Sequence, residues 1–292
     1  MHFAGLAAIK TDGLIYINQN RTGAPIATMP PRDFVLANEN FTLHRTTPIF
    51  YQHSNMIDGP IASGTYFAIR KRAFLITAGH TITEFKLEAK NFLVPFRPKS
   101  SEYTDLGNCN LLIPDDDSYD VCALELLDND KKQLLATGGW QFLSLKNVLD
   151  PARAKDFLLF GFPYAIKDQN KIIKAYHPMS AYADRTKAPG DYPKPLKRDL
   201  DLFFEYGPVS DNLAGEEVNP PPLSGASGAS IWSLPTSRTV WMPPRVVGVQ
   251  TSFFKDKYFR GIDWRVVAKL LSLADKELED EILSHFANSV ST

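Results

Sequence analysis

The sequence predicts a chain built mainly of β-strands, folded as two units and finished by C-terminal helices. Three observations carry that prediction. Short apolar runs rich in β-branched and aromatic residues recur between turn-forming stretches. The 292 residues, 44% hydrophobic and 12% aromatic, can bury two cores, and units of roughly 100 residues each fit the length. Past Gly261 the apolar spacing changes to a helical period.

In chain order, residues 1–45 read as an N-terminal extension, punctuated by Thr22-Gly-Ala-Pro25 and by Thr28-Met-Pro-Pro31. A first β-unit spans 46–150. Within it, Gly64 to His80 has alternating, β-branched character on either side of a basic turn at Arg70 to Arg72, and so reads as a hairpin whose second strand, Phe74 to Thr77, ends just before His80. Val121 to Leu127 reads as a further, mostly apolar strand with Asp120 at its mouth. Leu149-Asp-Pro151 marks the link to a second β-unit, 151–262, which Phe157-Leu-Leu-Phe160 opens. Between Tyr176 and Pro222 lies a long segment rich in Pro, Asp and Lys, interrupted by the strand-like Leu202-Phe-Phe-Glu-Tyr206. Val246 to Thr251 reads as a late strand. In the closing segment, 263–292, Asp263 can cap a helix carrying Trp264, Val267, Leu270 and Leu271 on one side, and Asp275 to Phe286 adds a second helix with Leu278, Ile282 and Phe286.

The chemistry-bearing residues are three. Ser224-Gly-Ala-Ser-Gly-Ala-Ser230 places the Ser227 hydroxyl on a backbone free of bulk, as an attacking oxygen needs, with N–H groups able to converge on an oxygen that becomes negative. His80 stands at a strand end. Asp120 stands where an apolar strand begins, and partial desolvation there makes a carboxylate effective at orienting an imidazole.

In that order the residues resemble the trypsin-like, chymotrypsin-fold serine peptidases. The family's Thr-Ala-Ala-His appears as Thr77-Ala-Gly-His80, its Asp-Ile/Leu-Ala-Leu-Leu as Asp120-Val-Cys-Ala-Leu124, and its Gly-x-Ser-Gly-Gly-Pro as Gly225-Ala-Ser-Gly-Ala-Ser230. Phe160-Gly-Phe-Pro163 is similar to the Gly-x-Pro strand end that opens the family's second barrel, and Val246 to Thr251 to the strand after the nucleophile loop. The resemblance covers roughly residues 45 to 272 and implies two six-stranded antiparallel Greek-key barrels with C-terminal helices. It further implies that His80 is the general base, Asp120 its orienting partner and Ser227 the nucleophile, with the N–H groups of Gly225 and Ser227 as an oxyanion hole worth ~3 kcal/mol per donor. Pro221 and Thr251-Ser-Phe253 fall where the family forms its primary specificity pocket. Neither segment supplies an acid, so a lysine or arginine before the scissile bond is disfavoured and a small or medium uncharged residue favoured. Ala226 stands where many secreted members carry the aspartate that pairs with a new N-terminus, so that switch is absent. The likeness is closest to intracellular and bacterial members.

Composition narrows the partners. A net charge of −1 gives no reason to expect nucleic acid or an anionic membrane, and Lys71-Arg72 and Lys194 to Arg198 read as solvated turns. Two cysteines, Cys109 and Cys122, are few for a secreted domain of this kind and point to a reducing, cytoplasmic setting or a bacterial origin, without deciding whether the two pair. No signal peptide is read in Met1 to Lys10 and no run approaches a membrane span. Asn20 and Asn40 head glycosylation triplets of the kind that arise by chance. His2, His44, His53, His177 and His285 lack a metal-ligand spacing, and Asp115 to Asp117 read as solvated, so no metal or cofactor is expected. The expected partner is a protein or peptide substrate. The alternative is a catalytically silent or partner-activated member of the fold that binds proteins.

Overall fold

A computed structural model of the chain describes residues 15–18, 31–53, 56–83, 88–116, 119–164, 167–168, 175–190, 192, 199–212, 216–237 and 239–289. The glycosylation triplet at Asn20, the run from Lys194 to Arg198, and Asp117 lie outside the described residues.

Strand β1 (Ile15–Asn18) and helix α1 (Arg32–Leu43) precede the first sheet. That sheet holds β2 (Thr46–His53), β3 (Met56–Ile69), β4 (Arg72–Thr77), β5 (Phe92–Pro95), β6 (Tyr103–Asp105), β7 (Cys109–Leu112) and β8 (Cys122–Leu126), in the order β6-β5-β2-β3-β4-β8-β7. A short helix α2 (His80–Thr83) follows β4, and α3 (Asn129–Thr137) follows β8, capped by the Asp128 carboxylate. The hairpin turns at Arg70, whose φ of 54° is left-handed.

After β9 (Asp156–Gly161), β10 (Lys167–Asp168) and β11 (Ala175–Tyr176) form a separate pair. The second sheet continues with β12 (Met179–Ala183), β13 (Arg185–Thr186), β14 (Asp201–Glu205), β15 (Ser210–Asp211), β16 (Glu217–Val218), β17 (Ser230–Leu234), β18 (Arg245–Phe254) and β19 (Tyr258–Asp263). Its order is β13-β14-β19-β18-β17-β9-β12-β1-β15-β16. Each sheet therefore contains six consecutive antiparallel strands, β5-β2-β3-β4-β8-β7 in one and β14-β19-β18-β17-β9-β12 in the other, extended by shorter strands. The architecture is all-β, two curled antiparallel sheets of the chymotrypsin-like kind with C-terminal helices α4 (Trp264–Ser272) and α5 (Lys276–Ser289). β1 is the exception, running parallel to β12.

Strands in such an arrangement are buried on both faces, which is why several read as continuous apolar runs. In β4, Ala73 and Leu75 face the core inside the first sheet, with Ile49, Tyr66, Leu124 and Trp140. Phe74 and Ile76, on the opposite face, join the large core between the sheets, with Phe67, Phe160, Trp232, Val249 and Trp264. A third core, inside the second sheet, contains Phe157, Leu159, Ala181, Phe204, Leu223, Ala226, Ala229, Ile231 and Phe259.

Asp263 caps α4 by accepting from the Arg265 N–H at 2.8 Å, and Val267, Leu270 and Leu271 are buried against the inter-sheet core together with Leu278 and Ile282 of α5. Within the described part of the N-terminal extension, helix α1 packs against the body of the fold. Val35 and Leu43 of α1 belong to the same core, and the Phe41 ring meets that of Trp232 edge-on at 5.9 Å. No helix among the described residues is long and apolar enough to cross a membrane.

Cys109 and Cys122 are unpaired. They lie far along the β7–β8 ladder from one another, since Cys109 sits opposite Leu126 and Leu112 opposite Ala123, a separation of several strand residues at about 3.4 Å each. Burial pushes both thiols up, Cys109 to about 11.

Candidate active site

The site is assembled where the ends of β4, β8 and β17 converge. β4 ends at Thr77, and Ala78 and Gly79 carry the chain to His80. Gly79 makes the next approach feasible: a Cβ there would lie 3.2 Å from the Val121 nitrogen and 3.4 Å from Asp120 Oδ1. Asp120, immediately before the β8 ladder, accepts from the backbone N–H of His80 through Oδ1 at 2.7 Å and meets His80 Nδ1 through Oδ2 at 2.8 Å. A carboxylate can only accept, so the Nδ1 proton is held there and Nε2 is the basic nitrogen of the ring. The Asp120 side chain is 11% exposed and that of His80 26%, which keeps the charge partly desolvated while leaving the imidazole reachable from solvent.

The Ser227 loop is two overlapping turns. The Ala226 N–H donates to the Leu223 carbonyl at 2.8 Å with Gly225 at φ 86°, and the Ala229 N–H donates to the Ala226 carbonyl at 2.8 Å with Gly228 at φ 88°. Each glycine thus occupies the third position of a four-residue turn, where a type II turn requires positive φ. The consequence is an alternation of amide directions. The N–H of Ala226 is used inside the first turn and that of Gly228 donates to the Gln250 carbonyl at 2.7 Å, whereas those of Gly225 and Ser227 have no backbone acceptor among the described residues. Two amides flanking one half-buried serine can therefore aim at a shared oxygen.

The loop is anchored through Ser63 of β3, a residue that motif reading passed over. Its N–H donates to the Ser227 carbonyl at 2.8 Å, its Oγ donates to the Gly225 carbonyl at 3.2 Å, and the same Oγ accepts from the Phe162 N–H at 3.0 Å. Thr77 Oγ1 donates to the Ser63 carbonyl at 2.7 Å, which ties this anchor to the strand that carries His80. Gly228 packs so closely on this wall that an added Cβ would overlap the Ser63 carbonyl oxygen and Thr77 Oγ1 and lie 2.9 Å from the Ala78 nitrogen. His80, Asp120, Gly225 and Ser227 are thus brought to one place.

Of the residues expected to shape a specificity pocket, Pro221 is buried and its carbonyl accepts from the Tyr206 hydroxyl at 2.6 Å. Thr251 is the extra residue of a β-bulge, because Gln250 pairs with Gly261 and Ser252 with Arg260. Ser252 lies on the outer face of the second sheet with Arg260, and Phe253, partly exposed, packs on the inner core opposite Phe259. Two acids of the long segment between Tyr176 and Pro222 are engaged elsewhere. Asp201 holds the buried Arg260 guanidinium, with Oδ1 at 2.7 Å from Nε, and Glu216 accepts from Asn212 Nδ2 at 2.9 Å. Asp191 lies outside the described residues. Among the described residues no cluster of three His, Cys, Asp or Glu side chains could hold a metal ion.

Gln250 was not singled out by its sequence context, a polar residue in the otherwise apolar strand of Val246 to Val249. It is fully buried, and neither its amide oxygen nor its amide nitrogen has a hydrogen-bond partner among the described residues. The adjacent Thr251 hydroxyl is likewise buried and unpartnered.

No family model and no curated protein matches this chain. Among solved structures, a chain described under "Aromatic interactions drive the coupled folding and binding of the intrinsically disordered Sesbania mosaic virus VPg protein" is similar at 13% identity and a TM-score of 0.45, over 78% of this chain and 90% of that one.

Proposed function

We propose that the protein is a serine endopeptidase that hydrolyses peptide bonds in protein or peptide substrates. The observation that carries this reading is the coincidence, at one place, of an imidazole held at Nδ1 by Asp120 and a serine flanked by two amides with no backbone acceptor among the described residues.

In the proposed mechanism Ser227 Oγ attacks the carbonyl carbon while its proton passes to His80 Nε2. Asp120 stabilises the imidazolium, and the Gly225 and Ser227 amides receive the negative carbonyl oxygen. Collapse of the tetrahedral intermediate expels the amine, which takes the proton from His80. Water then attacks the acyl-serine with His80 again as base, releasing the acid and restoring the hydroxyl. The chemistry requires no cofactor.

The test is active-site labelling with a fluorophosphonate. The wild-type chain is expected to gain one covalent adduct, mapped to Ser227 by peptide mass, and Ser227→Ala to gain none while keeping its melting temperature within about 2 °C, as loss of a single half-buried oxygen allows. Labelling that persists in Ser227→Ala, or none in the wild type, overturns the reading.

A further inference from the structure

Gln250 stands directly behind the serine loop. Its carbonyl accepts from Gly228 and its N–H donates to the Ala229 carbonyl at 2.8 Å, so its Cα is fixed beside the turn that presents Ser227. The side chain's direction follows from the ladder. Gln250 is paired with Gly261, where an added Cβ would run into Ile231 Cδ1, a member of the core inside the second sheet. Cross-strand partners project from the same face, so Gln250 projects inward as well. One bulge later Phe253 returns to that face, packing on the same core with its ring partly exposed. The inner face thus runs from Phe253 at the solvent side to a fully buried carboxamide at the depth of the serine loop.

A primary amide enclosed in this way presents two donor hydrogens and an acceptor oxygen, and nothing within the described residues uses them. Among the described residues, Gln250 contributes two of the ten buried side-chain atoms without a hydrogen-bond partner, and Thr251, next in the chain, contributes a third. Groups left unpaired at such depth are the means by which a pocket selects a ligand able to pair them and rejects an isostere that cannot.

Resting on the acyl-transfer reading above, we propose that Gln250 is the specificity-determining residue of this site and that it selects substrates with a carboxamide side chain, glutamine or asparagine, on the acyl side of the scissile bond. A carboxamide satisfies both ends of the Gln250 amide at once, donating to its oxygen and accepting from its nitrogen. A methionine or leucine of similar size satisfies neither. A carboxylate can only accept and a lysine can only donate, and among the described residues each would bury a charge without a free counter-ion on this face, since Asp201 is committed to Arg260 on the other.

The experiment uses the whole chain and a series of peptidyl diphenyl phosphonates that differ only in the side chain next to phosphorus: glutamine, asparagine, methionine or lysine. Ser227 Oγ displaces phenoxide from phosphorus, and the second-order rate of adduct formation reads out the pocket. A fluorophosphonate without a peptide serves as the control for the nucleophile. The expected result is a rate for the glutamine or asparagine reagent at least about tenfold above that for methionine, with lysine slowest. Gln250→Met, shown folded by circular dichroism and a cooperative melt, is expected to reverse the order of the glutamine and methionine reagents. The wild-type series carries the test even where the variant fails to fold. Fluorophosphonate labelling together with equal or methionine-preferring rates overturns the assignment of Gln250 alone. Absence of any adduct at Ser227, with the fluorophosphonate as with the peptidyl reagents, overturns the acyl-transfer reading and this inference with it.

Discussion

Asp120 grips His80 at two points, accepting from its backbone N–H at 2.7 Å and facing its Nδ1 at 2.8 Å with the other oxygen. The first bond positions the residue; the second sets the tautomer. Asn at position 120 keeps an acceptor for one of them but also presents an NH₂ group, which favours the ring with its proton on Nε2. Asp120→Asn is therefore expected to lower kcat by about 10⁴ with a much smaller change in KM, and without loss of fold. Steady-state kinetics on a peptide substrate checks it, and a fall of less than tenfold would contradict the role given to the carboxylate.

Gly228→Ala is expected to damage both stability and labelling. The position combines a φ of 88° with overlap of any Cβ against the Ser63 carbonyl, Thr77 Oγ1 and the Ala78 nitrogen, two of which are backbone atoms that cannot swing aside. Left-handed backbone and forced contact together cost about 2–4 kcal/mol. Urea denaturation measures the loss, and fluorophosphonate labelling is expected to slow in parallel because the same shift displaces Ser227 from the His80 wall.

The Arg72–Glu125 pair supplies a pH-dependent contribution to stability. Arg72 donates through Nε and Nη2 to the two carboxylate oxygens at 2.6 Å each, and through Nη1 to the Ala274 carbonyl at 2.9 Å, which joins β4, β8 and the segment between the C-terminal helices. The guanidinium holds the Glu125 carboxyl below its ordinary value of 4.5, against the opposing effect of desolvation. A depressed folded-state value means that the contribution is present above about pH 4.5 and fades as the pH falls through the folded value. Glu125→Gln is thus expected to cost about 2 kcal/mol at pH 7 and progressively less below pH 4. Denaturation of both proteins at pH 7 and pH 3 reads out the difference, and an equal cost at the two values would contradict the assignment.

The two thiols are expected to be slow toward a disulfide reagent in the native state at pH 8. Cys122 is fully buried, and Cys109, pushed to about 11, holds little thiolate at that pH. Denaturant should expose both to stoichiometric reaction within minutes. Recovery of fewer than two thiols from protein unfolded without reductant would indicate a bond that the β7–β8 register does not allow.

Much of the site was legible because its chemistry needs short, contiguous motifs. Thr77-Ala-Gly-His80 shows small residues where a strand must end close beside another segment, and Gly225-Ala-Ser-Gly228 shows glycines where two successive turns need positive φ. The strands around them were legible as apolar runs, and the helix capped by Asp263 from its periodicity.

Other features depend on which residues meet across the fold. Ser63 lies in an ordinary strand and acquires its importance only when β3 meets the serine loop more than 160 positions later. Helix α1 has a weak apolar stripe, and its Val35 and Leu43 are buried only where the folded chain brings the inter-sheet core against them. Gln250 reads in sequence as one polar residue after a run of valines. Only the pairing with Gly261 and the bulge at Thr251 decide which face it takes, because in a strand a shift of one residue exchanges inside for outside. Local sequence determined the turns, the caps and the reactive residue types through backbone sterics and hydrophobic period. Tertiary structure decided which amides stayed unengaged and which polar groups were enclosed, since those depend on contacts between strands far apart in the chain.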